Sequence, residues 1–257
     1  MRLTGRTILV TGAGRGIGAA LCRGMAAEGA SVVVTDRDEP AAAAVAAAIR
    51  ADGGRALHVR LDVTDRAEVR SAIEQAVAEF GRLDVLFNNA GFNEPEKFLD
   101  ITEEVWDRIM RVNAFGVVVG SQEAARQFIA QGTGGKIVNT ASIAGRQGFP
   151  SFAPYSASKA AVISLTQAGA RALAEHRITV NAFAPGVVRT PLWDKLDRDL
   201  TRIGEGDAGF ASMASDIILG RPAEPEDIVP TAVFLAGPDS DYVTGQVLAI
   251  DGGMILV

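Results

Sequence analysis

Short, evenly apolar runs alternate with longer stretches of helical periodicity from one end of this chain to the other. Seven runs read as strands: Thr7 to Val10, Ser31 to Thr35, Arg55 to Arg60, Leu83 to Phe87, Lys136 to Thr140, Arg177 to Phe183 and Gln246 to Ile250. Between them, Ile17, Leu21 and Met25 recur at helical spacing, as do Val69, Ile73, Val77 and Phe80. Further helices are expected over 40–51, from a Thr102 cap to about Ala130, over 152–175 and over 225–236. Strands that are apolar on both sides need cover on both faces, which parallel strands with crossover helices provide. The prediction is α/β, a doubly wound, seven-stranded parallel sheet in one domain over 1–257. The longest irregular stretch, 187–221, is expected to be a substrate-binding loop or lid.

Composition narrows the function classes. The net charge is −6 and no Lys/Arg-rich run occurs, so no nucleic-acid partner is expected. One cysteine, Cys22, precludes an intrachain disulfide framework. The two histidines, His58 and His176, fit no metal-ligand spacing, so no metal is expected. The first strand begins almost at the N-terminus, and the longest apolar stretch, Ala41 to Ile49, is too short to span a bilayer. The expected location is the cytoplasm, with no membrane partner.

Thr11-Gly12-Ala13-Gly14-Arg15-Gly16-Ile17-Gly18 joins the first strand to the first helix. Glycines there let the backbone turn tightly and approach a pyrophosphate, which meets the unpaired N–H groups of the helix N-terminus. Placed at the first crossover, the loop predicts a Rossmann-like dinucleotide site using Gly12, Arg15, Gly16, Ile17 and Gly18. Asp36 ends the second strand, eighteen residues after Gly18. A carboxylate there accepts hydrogen bonds from both ribose hydroxyls and repels a 2′-phosphate, so the expected cofactor is NAD. Arg15 and Arg37 are the contrary signals, because either guanidinium can pair with a phosphate.

Tyr155-Ser156-Ala157-Ser158-Lys159 carries the chemistry. Residues four apart share one face of a helix, which puts an ammonium near a phenol. A unit charge ~4 Å away is worth about 4 kcal/mol at an effective dielectric of ~20. At ~1.4 kcal/mol per unit, that lowers the tyrosine pKa by about three units. Such a phenol suits general acid/base work. Ser142, just after the fifth strand, offers a hydroxyl to a substrate oxygen. Asn113 falls mid-helix, where its propensity is poor.

The spacing Gly12-x-x-x-Gly16-x-Gly18 departs from G-x-G-x-x-G and resembles the loop of the short-chain dehydrogenase/reductase family. Asn88-Asn89-Ala90-Gly91 and Pro185-Gly186-Val187-Val188-Arg189-Thr190 are similar to two further segments of that family. The resemblance implies that Asn113, Ser142, Tyr155 and Lys159 form a catalytic tetrad. In it, the asparagine distorts its helix and holds a water connecting the lysine to solvent, while Lys159 also binds a cofactor ribose beside Tyr155. It further implies that Asp62 and Val63 contact adenine, and that Asn89, Ala90 and Gly91 let the backbone pass a ribose. Pro185, Gly186, Val188 and Thr190 would then hold the nicotinamide end. Family members are commonly homotetramers, and small residues spread around the helix at Ser156, Ala157, Ala160, Ala161, Ser164 and Ala168 fit a subunit contact.

Phe92, Asn93, Ile143, Gln147, Phe149, Leu192 and Trp193 are the candidate substrate-pocket residues. Thr190-Pro191-Leu192-Trp193 and Asp251-Gly252-Gly253-Met254 resemble segments of acetoin reductases, 2,3-butanediol dehydrogenases and polyol dehydrogenases. The expected substrate is a small diol, polyol or hydroxyketone. Two other readings compete: an NADPH-dependent reductase of 3-ketoacyl carriers, opposed by Asp36, and a non-catalytic nucleotide sensor, opposed by the complete tetrad.

Overall fold

The computed structural model describes residues 1–256. Its strands and helices follow one another as β1 (Thr7–Thr11), α1 (Gly16–Ala27), β2 (Ser31–Asp36), α2 (Glu39–Ala51), β3 (Arg55–Arg60) and α3 (Arg66–Phe80). Then come β4 (Val85–Asn88), α4 (Glu103–Met110), α5 (Gly116–Gln131), β5 (Gly135–Thr140), α6 (Ala153–Leu173) and β6 (Ile178–Pro185). The chain ends through α7 (Pro191–Arg202), α8 (Phe210–Ser215), α9 (Pro225–Ala236) and β7 (Val247–Ile250).

The seven strands form one parallel sheet in the order β3-β2-β1-β4-β5-β6-β7. The predicted fold is therefore the observed one. Alternate side chains go to opposite faces, as a pleated strand requires. Ile8, Val10, Val32 and Val34 pack under Leu21 and Met25 of α1, Val45 and Ile49 of α2 and Ile228 of α9. Leu9 and Val33 point the other way, toward Val69 and Ile73 of α3 and Val119 and Phe128 of α5. Winding reverses between β1 and β4, and ligands of such sheets lie outside the strand carboxyl ends at that reversal.

The helical region from Thr102 carries the distortion that the family resemblance implied at the asparagine: a π-turn over Arg111–Phe115 lies between α4 and α5, with Asn113 at its middle. One expectation needs correction: 187–221 is not irregular, since it contains α7 and α8. Its base is tied, because Ala223 donates to the Val187 carbonyl at 2.9 Å and Arg189 to the Ala223 carbonyl at 2.8 Å. Leu219 donates to the Gly252 carbonyl at 3.1 Å and joins the far end to the C-terminal segment. Cys22 is fully buried, and burial pushes its thiol pKa up. Among the described residues, no helix is long and apolar enough to cross a membrane.

Gly24 shows how closely α1 meets α9. A Cβ there would stand 2.3 Å from Val229 Cγ1. Gly24→Ala gains about 1 kcal/mol of helix propensity, but overpacking typically costs about 1–3 kcal/mol. Net destabilisation is expected in urea denaturation, with partial recovery on adding Val229→Ala. A single variant as stable as the parent would show that the two helices part without strain.

Candidate active site

At the end of β1, Thr11 Oγ1 accepts from the backbone N–H groups of Asn89 (2.9 Å) and Ala90 (3.0 Å) and donates to the Phe87 carbonyl (3.2 Å). Asn89 Nδ2 returns bonds to the carbonyls of Thr11 (2.9 Å) and Gly12 (3.1 Å). No space is left for side chains. A Cβ on Gly12, which sits at φ +63°, would lie 2.7 Å from Ala90 Cα. One on Gly18 would lie 2.3 Å from the Gly12 carbonyl oxygen. Helix α1 starts at Gly16 with no side-chain cap and no acidic residue in its first turn, so its N–H groups and positive dipole end stay free for an anion. This cradle fits a pyrophosphate.

Asp36 is half-buried beside the loop, where Oδ2 accepts from Gly14 N–H and Oδ1 from Asp38 N–H, both at 3.0 Å. Arg15 points outward and forms an ion pair with Asp38, whose Oδ1 caps α2 through Ala41 N–H at 3.2 Å. Asp62 Oδ1 accepts from Thr64 N–H (2.9 Å) and Oγ1 (2.8 Å), and these bonds hold its pKa below the usual carboxylate value. Val63 is buried against the start of α5, 2.9 Å from where a Gly116 Cβ would be.

Asn113, Ser142, Tyr155 and Lys159 converge from three places: the π-turn, the turn after β5, and α6, which carries both Tyr155 and Lys159. The Asn113 side chain is fully buried and fully bonded. Its Oδ1 accepts from Phe92 N–H (3.0 Å), and its Nδ2 donates to the Phe92 carbonyl (2.8 Å) and Ser158 Oγ (3.1 Å). Gly91 passes between Asn113 and Lys159, where a Cβ would meet Asn113 Oδ1 at 3.2 Å and Lys159 Nζ at 3.5 Å. Ser142 caps a short turn through Ala144 N–H at 3.1 Å and also hydrogen-bonds the Tyr155 phenol. Tyr155 stands in the first turn of α6, and Lys159 follows one turn later. Lys159 Nζ donates to the Thr140 carbonyl at 2.7 Å and lies 5.6 Å from the Tyr155 ring centre.

Electrostatics here differ from the sequence expectation. Burial raises the Tyr155 pKa above its ordinary value, and the bond from Ser142 offsets this only in part. Desolvation lowers Lys159 to about 8, because its one polar contact among the described residues is a neutral carbonyl. The expected three-unit lowering of the phenol by the ammonium is therefore absent from the free protein. Low dielectric disfavours both charged forms at once.

A cavity of about 110 Å³ opens over Ser142 and Tyr155. Asn93, Ile143, Phe149, Leu192 and Trp193 line it as expected, and Phe152, Leu196 and Met213 join them. Phe92 and Gln147 do not: Asn113 holds the Phe92 backbone aside, and Gln147 is exposed. Ile17, Pro185, Gly186, Val188 and Thr190 continue the same wall toward the glycine loop. Trp193 meets Phe210 edge-on at 5.5 Å, and the Arg189 guanidinium lies 5.1 Å over Phe210. The leucines of α7 at 192, 196 and 200 gave a helical signal, whereas Met213 on its six-residue helix gave none.

A doubly wound parallel sheet with a Cβ-free loop against a helix N-terminus defines a nucleotide-binding α/β protein. Residues 6–201 match the family model for short chain dehydrogenases, and the chain belongs to that family. It is similar to an L-2,3-butanediol dehydrogenase from Corynebacterium glutamicum, 44% identical over 97% of this chain and 98% of the relative. It is also 42% identical to a galactitol 2-dehydrogenase from Agrobacterium fabrum, covering 98% of each. Among solved structures, a gluconate 5-dehydrogenase from Burkholderia cenocepacia, in complex with NADP and tartrate, superposes with a TM-score of 0.87. That match is 38% identical and covers 98% of this chain and 96% of the other. The protein is accordingly an oxidoreductase of alcohols and ketones that uses a nicotinamide nucleotide.

The Lys159 environment has a measurable consequence for stability. Its pKa is about 8 in the folded chain and about 10.4 unfolded. Between those values the unfolded state binds more protons, so this group makes stability rise with pH, by about 3 kcal/mol across the window. Relative to Lys159→Met, the wild type should gain that amount between pH 7.5 and 10.5 in urea titrations. Making both measurements in a Tyr155→Phe background removes the coupled phenol, and taking the difference cancels Cys22, which titrates in both proteins. A flat difference would mean the ammonium is not desolvated.

Proposed function

We propose that this chain is a cytoplasmic, NAD-dependent dehydrogenase that interconverts a secondary alcohol and its ketone in a small diol, polyol or hydroxyketone. The observation that carries the reading is the Ser142–Tyr155 pair at the base of a mostly apolar cavity, with buried Lys159 behind it. Names of the similar proteins, a butanediol dehydrogenase and a galactitol dehydrogenase, support the substrate class.

Gly12, Arg15, Gly16, Ile17 and Gly18 would hold the pyrophosphate; Arg15 must first leave Asp38 to reach it. Asp36 would take the adenosine ribose hydroxyls, and Asp62 and Val63 the adenine. Asn89, Ala90 and Gly91 would pass the second ribose, which Tyr155 and Lys159 bind. Pro185, Gly186, Val188 and Thr190 would hold the nicotinamide, whose ring supplies the two-electron exchange with the substrate carbon.

Ser142 orients the substrate oxygen and stabilises its developing negative charge. Tyr155 moves the proton at its phenol oxygen. Its raised pKa keeps it protonated near neutrality, the form that donates to a ketone oxygen. In the oxidative direction the phenolate is needed, and the charges of Lys159 and of the bound cofactor favour it. The Asn113 side chain is committed to Phe92 and Ser158. A proton relay at this position would therefore use the main chain of the π-turn, where the inserted residue interrupts the helical ladder.

Segment 187–221 would act as the lid over the substrate. Ala160, Ser164 and Ala168 form an exposed small-residue stripe on α6 and support packing against a second subunit in a homotetramer.

Tyr155→Phe should lower kcat by about 10²–10⁴-fold while NADH still binds, as followed by its fluorescence; unchanged turnover would remove the phenol from the mechanism. Asp36 sets the cofactor choice, and like-charge contact costs several kcal/mol. The kcat/KM ratio of NAD over NADP should therefore exceed about 100 and shrink toward unity in Asp36→Ala. A wild type that prefers NADP would favour the ketoacyl reductase reading.

A further inference from the structure

Asn93 is 98% buried by relative surface, lines the cavity over Ser142 and Tyr155, and has an Oδ1 with no hydrogen-bond partner among the described residues. The only other such side-chain atom among them is Thr179 Oγ1, in β6. Buried polar atoms are almost always paired, and leaving one unpaired carries its full desolvation cost.

The residue is also held in place. Asn113 grips both backbone groups of Phe92, the residue before it. Three residues further on, Glu96 N–H donates to the Ser151 carbonyl at 3.0 Å. Segment 92–96 is thus pinned at both ends, and Asn93 is held in the cavity wall. The other polar side chains on that wall have assigned contacts or roles. Ser142 and Tyr155 bond each other, Thr140 Oγ1 donates to Asn89 Oδ1 at 3.3 Å, and Thr190 faces the glycine loop through Gly16. The rest of the lining is apolar.

We propose that Asn93 is a specificity-determining residue that binds the substrate oxygen on the carbon next to the reacting one. The proposal rests on the cavity being the substrate site and deepens the reading of the substrate class. A neighbouring hydroxyl donates to the unpaired Oδ1. A neighbouring carbonyl accepts from Nδ2, which a half-turn about the last side-chain bond presents with little change of shape. In an otherwise apolar cavity, a substrate with one oxygen leaves the carboxamide unpaired, whereas a substrate with two adjacent oxygens satisfies it. Sites built to bond a substrate hydroxyl discriminate strongly against analogues that lack it, by up to about 10⁴–10⁵-fold.

The test pair is 3-hydroxybutan-2-one and butan-2-one, which differ by that one hydroxyl, each reduced with NADH. The measured quantity is the ratio of their kcat/KM values in wild type and in Asn93→Leu, with Asn93→Ala as a second variant should leucine not fit. Wild type should favour the hydroxyketone by about 100-fold or more, and both variants should collapse that ratio toward unity. A ratio unchanged by either substitution, whether both rates fall together or neither does, overturns the assignment while leaving the site's chemistry intact. Failure of wild type to reduce either ketone overturns the proposed substrate class, and the role of Asn93 falls with it.

Discussion

Three hydrogen bonds to the hydroxyl of Thr11 close the gap between the ends of β1 and β4, and Asn89 answers with two more to the β1 backbone. Winding of the sheet reverses at this seam; backbone pairing of β1 with β4 runs to Val10 and Phe87, and these side-chain bonds extend the junction beyond it. Once joined, the two strand ends exclude a Cβ at Gly12 and at Gly18 and draw the N-terminus of α1 down onto the loop. The same strand end sends Gly91 between Asn113 and Lys159. One backbone wall therefore bounds the anion cradle on one side and the buried lysine on the other.

Lys159 owes its character to the partner it lacks. A carboxylate beside Nζ would restore its ordinary pKa but cancel its field at the phenol. The Thr140 carbonyl satisfies a donor without neutralising the charge, so burial lowers the lysine to about 8 while it stays mostly protonated near pH 7. Burial also raises Tyr155. Both shifts oppose charge, and both are relieved by whatever brings compensating charge and dipoles into the site.

Local pattern made the sheet legible, because most strands are apolar over most of their length, with Arg55, His58 and Arg60 interrupting only the edge strand β3, and each is bounded by turn or cap residues. Asp65 and Thr102 cap their helices as their positions suggest, accepting from Glu68 N–H and Val105 N–H. What the pattern could not show lies in tertiary contacts. A π-turn differs from a helix by one residue of register, and only the misplaced Asn113 hinted at it. The two helices within 187–221 hid behind charged residues, although Leu192, Leu196 and Leu200 kept helical spacing. The direction of the Tyr155 shift depends on burial, which the four-residue spacing to Lys159 does not reveal. Phe92 and Gln147 were drawn toward the pocket by position alone, without regard to where their backbone is held.

The cavity takes its two halves from parts of the chain under different constraints. Ser142, Tyr155 and Asn93 hang from the strand ends, from α6 and from a segment pinned by Asn113 and Ser151, all backed by the buried sheet. Leu192, Trp193, Leu196 and Met213 come from the helical segment above, tied to the rest of the fold where Val187 and Arg189 meet Ala223, where Leu219 meets Gly252 and where Arg202 pairs with Glu96. The upper half is apolar and braced by Phe210, which meets Trp193 edge-on and carries the Arg189 guanidinium over its ring. Such a division lets shape be set by the helical insert and polarity by the sheet-backed floor. Hydrogen bonds discriminate only when their geometry is fixed. A polar group meant to recognise a second oxygen therefore belongs on the floor, beside the seam, where Asn93 is found.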